Sequence, residues 1–349
     1  MNRRSVLRGA GVGVGAVLAG CTDFFETESV WSGAPLVEDR PEAVYLPASS
    51  EQMGTYGMQD LADEARCSLH YTYPHRFWTV TGSAPSRVEV SEDDSMHLMV
   101  SAWDPETGVV LPRQPTGTLL EDGEPVESYQ LWSMLAQRMG FHFGNNVALP
   151  GEGSYEVRIS FDPIAVRTAG TFEGRFQEPE STTFSIDFQS SDVLDLNIDE
   201  IAENRRGNRE AIEPMDGMGP PPGRVPLTED LPGTSLGSGT SSDAVLVGRL
   251  LDSPPAGVEG EGQYLAVSMR TPYNRIALAS SSLSASFDGD TVDLVETIDD
   301  QLGHHYGVAL EDALDSAPTI EIGSPPQLSR HDGYETAFFE MPSVELQAP

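Results

Sequence analysis

Short stretches in which apolar and polar residues alternate, separated by turn residues, are the feature that most constrains the fold of this 349-residue chain. Period-two alternation is typical of β-strands with one buried face. Asp122-Gly123 and Pro150-Gly151 supply turn signals between such stretches. This spacing predicts an all-β fold of the sandwich type. The strands predicted in the first half are Ser68–Thr79, Met96–Trp103, Tyr155–Phe161 and Thr183–Phe188.

A segment rich in Pro, Gly and Ser divides the chain into two strand-rich halves. Residues 190–243 begin with a candidate short helix and continue as GMGPPPGRVPLTEDLPGTSLGSG, a composition typical of linkers. We therefore predict one sandwich over residues 41–189 and a second over residues 244–349. The strands predicted in the second half are Ala244–Leu250, Tyr264–Met269, Ser282–Phe287 and Pro318–Ile322.

The two halves contain similar pairs of segments. HLMVSAWDPETGVVLP and MGFHFGNNVAL in the first half correspond to YLAVSMRTPYNRIALA and LGHHYGVAL in the second. This register aligns His97 with Tyr264 and His142 with His305. An internal repeat is one explanation, and chance similarity between short β segments is the other.

The N-terminus has the features of an export signal. Arg3 and Arg4 form the pair typical of Tat signals, and an apolar run too short to span a bilayer follows them. The run ends in Leu-Ala-Gly-Cys, which resembles a lipobox in which Cys21 is acylated. We predict a signal over residues 1–21, a tether over residues 22–40, and a lipid-anchored protein on the extracytoplasmic face of the cell membrane.

The charge of the chain indicates its environment. There are 55 acidic residues and 20 basic ones, all arginine, which give a net charge of −35. Carboxylates at this density repel one another unless salt screens them, which it does within about 3 Å at 1 M. We predict a halophilic surface and exclude nucleic acid as a partner.

The sequence gives no support to catalysis and some support to metal binding. Glycine-rich phosphate loops between a strand and a helix, His-Glu-x-x-His and Cys-x-x-Cys are absent from it. Alternation places His97 and Met99 on one strand face, and Met134 lies close to His142 in sequence. Imidazole with thioether suits copper, whereas ferrous iron would want more carboxylate.

A structural role is the alternative for these side chains, with the methionines in a core and the histidines at turns. We expect His70 and His75 to be packing or surface residues. Cys67 remains alone once Cys21 is acylated, so no disulfide can form within the chain, and we expect a small buried strand residue there.

The run MGFHFGNNVALPGEGSYEVRISFDP resembles the signature of the periplasmic iron-transport family whose members bind copper. VYLPASSEQMGTYG and HLMVSAWDPETGVVLP resemble its opening segments, so that the similarity covers Val44–Phe188. RHDGYETAFFEMP resembles a C-terminal domain of haloarchaeal members. The resemblance implies immunoglobulin-like sandwiches, copper bound through a His-x-Glu pair, a Met and two further His, and assistance to iron uptake beside a permease.

The resemblance carries over to three residues as metal ligands. His97 matches the first His, Met134 the Met, and His142 the His of the turn. Met99 stands at the Glu position, and the last His is missing from AVRTAG near Arg167. Such a site would be softer than is usual in the family and would favour Cu(I).

The resemblance also suggests a second metal site in the second half. His305 matches the turn His, and His331 lies in Arg330-His331-Asp332. Tyr264 stands in place of the first His, so the alternative is that these are ordinary turn residues.

These observations together predict a non-enzymatic metal-binding lipoprotein. Copper is the expected metal and iron a second candidate, with an iron permease and a second copy of the chain as candidate partners. The competing hypothesis is a binding or scaffold module whose histidines are structural.

Overall fold

The computed structural model describes residues 35–62, 65–215 and 219–349. Arg3, Arg4, Cys21 and most of the predicted tether lie outside the described residues. The described chain is all-β, as predicted. Its first half contains β1 (Ser49–Glu51), β2 (Gly54–Asp60), β3 (Arg66–Thr72), β4 (Phe77–Thr81), β5 (Ala84–Val88), β6 (Met96–Trp103), β7 (Pro115–Glu121), β8 (Glu124–Gln130), β9 (Trp132–Ala136), β10 (Gly140–Val147), β11 (Gly153–Phe161), β12 (Arg167–Thr168), β13 (Glu180–Phe188) and β14 (Ile198–Glu200).

The second half is also built from strands, and the helices of the described residues are short. One α-helix, α1, spans Ser190–Leu194, and 3₁₀ turns span Gly170–Phe172 and Thr228–Asp230. Within the described ranges, no helix has the length and apolar character needed to cross a membrane. The remaining strands are β15 (Thr234–Ser241), β16 (Ala244–Leu251), β17 (Gln263–Arg270), β18 (Ser282–Phe287), β19 (Asp290–Asp299), β20 (Gly303–Leu310), β21 (Thr319–Ser324), β22 (Ser329–Arg330) and β23 (Val344–Glu345).

The first sandwich pairs an eight-stranded sheet with a four-stranded one. The large sheet has the order β2-β3-β6-β10-β9-β22-β4-β5 and the small one β13-β11-β7-β8. Leu98 and Val100 of the large sheet share one buried hydrophobic core with Ile159 and Phe184 of the small sheet. The core therefore lies between the two sheets, as in a sandwich.

The large sheet has a second buried face, and it is polar. Because side chains alternate along a strand, Leu98 and Val100 point into the core while His97, Met99 and Ser101 point away from it. All eight residues of β6 are nonetheless buried, so this outer face is covered as well. It is the face on which the candidate site lies.

The second half forms one sheet of nine strands, which includes β12. The first half of β19 pairs with β18 and its second half pairs with β20. The long strand β19 thereby joins the two parts of the sheet, and Leu246, Val267, Leu283 and Ile320 from both parts share the core.

The segment predicted as a linker contributes strands to both halves. Within residues 190–243, β14 pairs with β1, and β15 pairs with β16 at the edge of the nine-stranded sheet. The sequence of β15, TSLGSGTS, is polar because most of its side chains are at least partly exposed. Composition alone therefore does not distinguish this edge strand from a flexible linker.

The two halves exchange short strands. β12 of the first half pairs in parallel with β19, so that Arg167 lies opposite Thr297. β22 of the second half pairs in parallel with β9, so that Ser329 lies opposite Met134. This exchange brings residues from each half to the centre of the other.

Candidate metal centre

Four imidazoles and one thioether converge on the polar face of the eight-stranded sheet. We call His75, His97, Met134, His142 and His331 the His–Met cluster. Ring nitrogens of three of the histidines, those at 75, 97 and 331, lie within 4.8 Å of one another. The His331 Nε2 is 3.3 Å from the Met134 sulfur. The ring centroids of His142 and His331 are 5.3 Å apart.

Three adjacent strands position the centre of the cluster. His97 lies on β6, His142 on β10 and Met134 on β9, with Met134 directly opposite His142. A Cβ at Gly144 would lie 2.7 Å from the His97 Nε2 and 3.3 Å from the Met134 sulfur. The absence of a side chain at Gly144 therefore lets these two donors meet above the strand.

The loop between β3 and β4 supplies His75, which sequence reasoning assigned to packing or the surface. Its Nδ1 lies 2.9 Å from the Tyr73 carbonyl and 3.0 Å from a Glu51 carboxylate oxygen. Its Nε2 lies 3.0 Å from the His331 Nδ1. The predicted strand Ser68–Thr79 is interrupted here, and Pro74 is the signal that could have revealed the break.

His331 comes from the second half, directly after β22. Its backbone N–H donates to the Leu135 carbonyl at 3.1 Å. The next residue, Asp332, forms an ion pair with Arg76 at 2.5 Å. The exchanged strand thus supplies an imidazole to the first sandwich, in a half of the chain where the resemblance places no ligand for that site.

Two nitrogens of the cluster are buried and have no hydrogen-bond partner among the described residues. They are the Nε2 atoms of His97 and His142. The His97 Nδ1 donates to the Asn146 side-chain oxygen at 2.8 Å, and the His142 Nδ1 donates to the Gly140 carbonyl at 3.1 Å. The Asn146 amide donates to the His75 carbonyl, which fixes its oxygen toward His97. In a neutral imidazole this leaves the Nε2 lone pair free to bind a metal.

Burial keeps most of these imidazoles neutral. It lowers the pKa of His142 to about 4 and lowers the pKa values of His97 and His331 well below the usual range, with neighbouring histidines adding to the effect. For His75, burial also lowers the pKa, but the Glu51 carboxylate, the Tyr73 carbonyl and Asp332 together outweigh it, and the net pKa is raised. The neutral form is the one that binds metals.

Met99 and His70 lie on the same face of the sheet beside the cluster. Met99 is buried and lies opposite both Gly144 on β10 and His70 on β3. It lines a cavity of about 390 Å³ that His75, His142 and His331 also line. Burial lowers the pKa of His70 to about 4.

The structure does not bring His305 and His331 together as a second site. The His305 Nδ1 donates to the Gly303 carbonyl at 3.0 Å, and its Nε2 is 2.9 Å from the Tyr264 hydroxyl. Arg167 lies beside this pair and donates to the Tyr264 hydroxyl at 3.1 Å. A guanidinium and a phenol therefore occupy the region where a metal would need free donors. His331 lies instead at the His–Met cluster of the first sandwich.

Neither Cys67 nor His304 belongs to the cluster. Cys67 is buried on β3, and burial raises the pKa of its thiol to about 12. Its side chain packs in the hydrophobic core. The His304 Nε2 lies 2.7 Å from a Glu296 carboxylate oxygen.

Comparisons with known proteins give a partial and a weak match. A family model described as a domain of unknown function, DUF7350, matches residues 229–347. Among solved structures, the chain is similar to a copper-bound variant of FetP from uropathogenic Escherichia coli, at 16% identity over 39% of this chain and 97% of that chain, with a TM-score of 0.30. As-isolated FetP from the same organism gives 15% identity, 39% and 96% coverage, and a TM-score of 0.28. No curated protein matches significantly.

Proposed function

We propose that this chain binds copper at the His–Met cluster. The observation that carries the proposal is the pair of buried, unpartnered Nε2 atoms of His97 and His142 beside the Met134 thioether. Leaving such atoms without a partner costs about 1–3 kcal/mol each, which a bound ion would remove. Imidazole suits both oxidation states of copper, and thioether favours Cu(I).

The donor set favours copper over iron. Carboxylate would be needed for a ferrous site, and the Glu51 carboxylate that approaches the cluster is hydrogen-bonded to His75. His97, His142, His331 and Met134 would hold the copper, with His75 as a further ligand. A bound ion would take the place of the proton that His75 and His331 share across 3.0 Å.

A binding role is favoured over a catalytic one. Four imidazoles and a thioether can fill the coordination sphere of copper, and closed spheres are typical of sites that do not open a position to substrate. We infer a lipid-anchored, extracytoplasmic protein of metal acquisition that assists iron uptake. The N-terminal sequence and the resemblance to the periplasmic iron-transport family support this role.

Copper titration of protein purified from molar salt tests the binding site. Copper affinity is measured by competition with a chelator for the wild type and for a His97→Ala/His142→Ala variant. We expect the variant to lose at least about 1,000-fold in affinity, since two ligands are removed, and His304→Ala to stay within about twofold of the wild type. Equal affinity of the double variant and the wild type would refute the proposal.

Export and anchoring need a separate test. Arg3→Lys with Arg4→Lys should block export, and Cys21→Ser should release the protein from the membrane fraction. Unchanged fractionation of the Cys21→Ser variant would contradict the lipid anchor.

A second candidate is a scaffold module with structural histidines. The hydrogen bond between His75 and His331 favours it, because that contact joins the two halves without any metal. Metal content separates the two candidates, since a scaffold purified from its natural membrane would contain no stoichiometric copper.

A further inference from the structure

The cavity beside the His–Met cluster is lined by methionines. The cavity has a volume of about 390 Å³, and four methionines contribute to its wall. They come from separate segments, namely the β1–β2 connection, strand β6, the β9–β10 turn and the segment after α1. We call this set the methionine vestibule: Met53, Met99, Met139 and Met215.

Ordinary packing does not explain this composition. The other apolar residues of the wall are Pro47, Val90, Ala136 and Ile212, and leucine is absent among the described residues that line the cavity. Leucine is nevertheless far commoner than methionine in this chain and fills a similar volume. The wall therefore concentrates thioethers where leucine would pack equally well.

The vestibule extends from the interior toward solvent. Met99 and Met139 are buried, whereas Met53 and Met215 are half-buried. The same wall includes His142, whose Nε2 is buried and unpartnered. Thioethers thus lead from the outer part of the chain to a free ligand of the cluster.

The charges of the wall admit cations, and its sulfurs select among them. Glu51, Glu89 and Asp332 line the cavity with Arg76 and Arg138. Arg76 pairs with Asp332, and Arg138 lies 3.7 Å from Asp199. Hard ions such as Mg²⁺ or Ca²⁺ bind thioether poorly, whereas Cu(I) binds it well.

We infer that the methionine vestibule is a separate binding site for a soft monovalent metal ion, Cu(I), through which the ion reaches the His–Met cluster. This rests on the proposed function. The transfer is a ligand exchange from thioether to imidazole, in which copper stays Cu(I) and no electron moves. Cu(II) prefers imidazole and should bind at the cluster alone.

Silver binding tests the vestibule, with Ag(I) as a stable probe for Cu(I). The titration uses sodium nitrate, because chloride precipitates silver. We expect wild type to bind two Ag(I) per chain and His97→Ala/His142→Ala to retain one, with sulfur as its X-ray absorption neighbour. Adding Met53→Leu/Met139→Leu/Met215→Leu to that variant should abolish the remaining site.

Controls separate this inference from the proposed function. Met269→Leu/Met341→Leu, which removes two methionines elsewhere in the chain, should leave silver binding unchanged. Loss of all silver in the histidine variant, or retention of silver in the methionine variant, would overturn the vestibule. If the variant with all five substitutions fails to fold, Met139→Leu alone is added to the histidine variant. It should still weaken the affinity for the one retained Ag(I) about tenfold, and unchanged affinity would count against the site. Failure of the proposed function would appear instead as unchanged Cu(II) affinity in the histidine variant.

Discussion

The two halves of the molecule share one local framework and fill its centre differently. Gly140 and Gly303 adopt left-handed conformations with φ of 76° and 66°, and each accepts a hydrogen bond from the histidine two residues later. His97 lies opposite Asn146, and Tyr264 lies opposite Ala309, which is the same register relative to His142 and His305. The register that aligns His97 with Tyr264 in the sequence is therefore also the structural one.

Three positions distinguish the two centres. His97 and Met134 in the first sandwich correspond in register to Tyr264 and Thr297 in the second. The exchanged segments supply His331 to the first centre and Arg167 to the second, in different registers. The Arg167 guanidinium donates to the Thr297 hydroxyl at 3.0 Å and to the Gly307 carbonyl at 2.7 Å. A cation fixed in the chain thus occupies the second centre. The framework alone therefore does not provide free metal donors; the residues at these three positions decide whether such donors are present.

Removal of His331 should have a large effect on copper binding. His331→Ala deletes an imidazole brought in by β22, and we expect copper affinity to fall at least about 100-fold. Arg167→Ala is the matched control, because it truncates the side chain that the exchanged segment supplies to the other centre, and it should leave copper affinity within about twofold. Chelator competition measures both, and a similar loss in both variants would contradict the distinction.

Arg167→Ala should instead destabilise the fold. The guanidinium makes hydrogen bonds to Thr297, Tyr264 and Gly307, and its loss leaves buried acceptors without a partner. We expect a loss of about 2 kcal/mol in the free energy of unfolding in molar salt. Denaturant melts of metal-free protein measure it. A stability equal to the wild type would mean that the second centre does not depend on this cation.

Acid should destabilise both centres, because each holds a buried histidine whose pKa is lowered. Burial lowers the pKa of His305 to about 3, whereas an unfolded histidine titrates near 6.5. The unfolded state therefore binds more protons below pH 6.5, and stability present above that pH is lost as the pH falls toward 3.

The variants His305→Gln and His142→Gln separate these contributions. Between about pH 6.5 and 4.5, we expect each histidine to account for a loss on the order of 2 kcal/mol in metal-free protein. Copper should leave both contributions unchanged in this range, because both imidazoles are already neutral in the folded metal-free protein, and should extend the His142 loss to lower pH. If copper instead extends the His305 loss to lower pH, metal binds in the second sandwich.

A side chain at Gly144 should have the smallest effect. Gly144→Ala would place a Cβ 2.7 Å from the His97 Nε2, so that the imidazole must shift from its position. We expect copper affinity to fall about tenfold through this displacement. Gly151→Ala is the control, since a Cβ there meets no atom within 4 Å. Equal affinity for Gly144→Ala and the wild type would show that this close approach is not required.

The sequence was sufficient to predict the all-β class and several local features. β6 and β18 have the predicted bounds, and Asp122-Gly123 forms the turn between β7 and β8 with positive φ at both residues. These features depend on alternation and turn chemistry over neighbouring residues, which a single sequence records.

The complete cluster could not be predicted, because two of its members depend on tertiary pairing. His331 reaches the first sandwich through β22, a strand of two residues that is too short for any periodicity. His75 lies in a break within what alternation predicts as one strand. The sequence also gave no sign that Arg167 would fill the second centre, because β12 too has only two residues.

The most direct test of the account is electron paramagnetic resonance of protein loaded with Cu(II). We expect one Cu(II) per chain with nitrogen couplings, lost in His142→Ala and unchanged in His305→Ala. The two substitutions remove equivalent histidines from the same framework, so they differ only in which centre they affect. Retention of the signal in His142→Ala together with its loss in His305→Ala would contradict the assignment of the metal to the first sandwich.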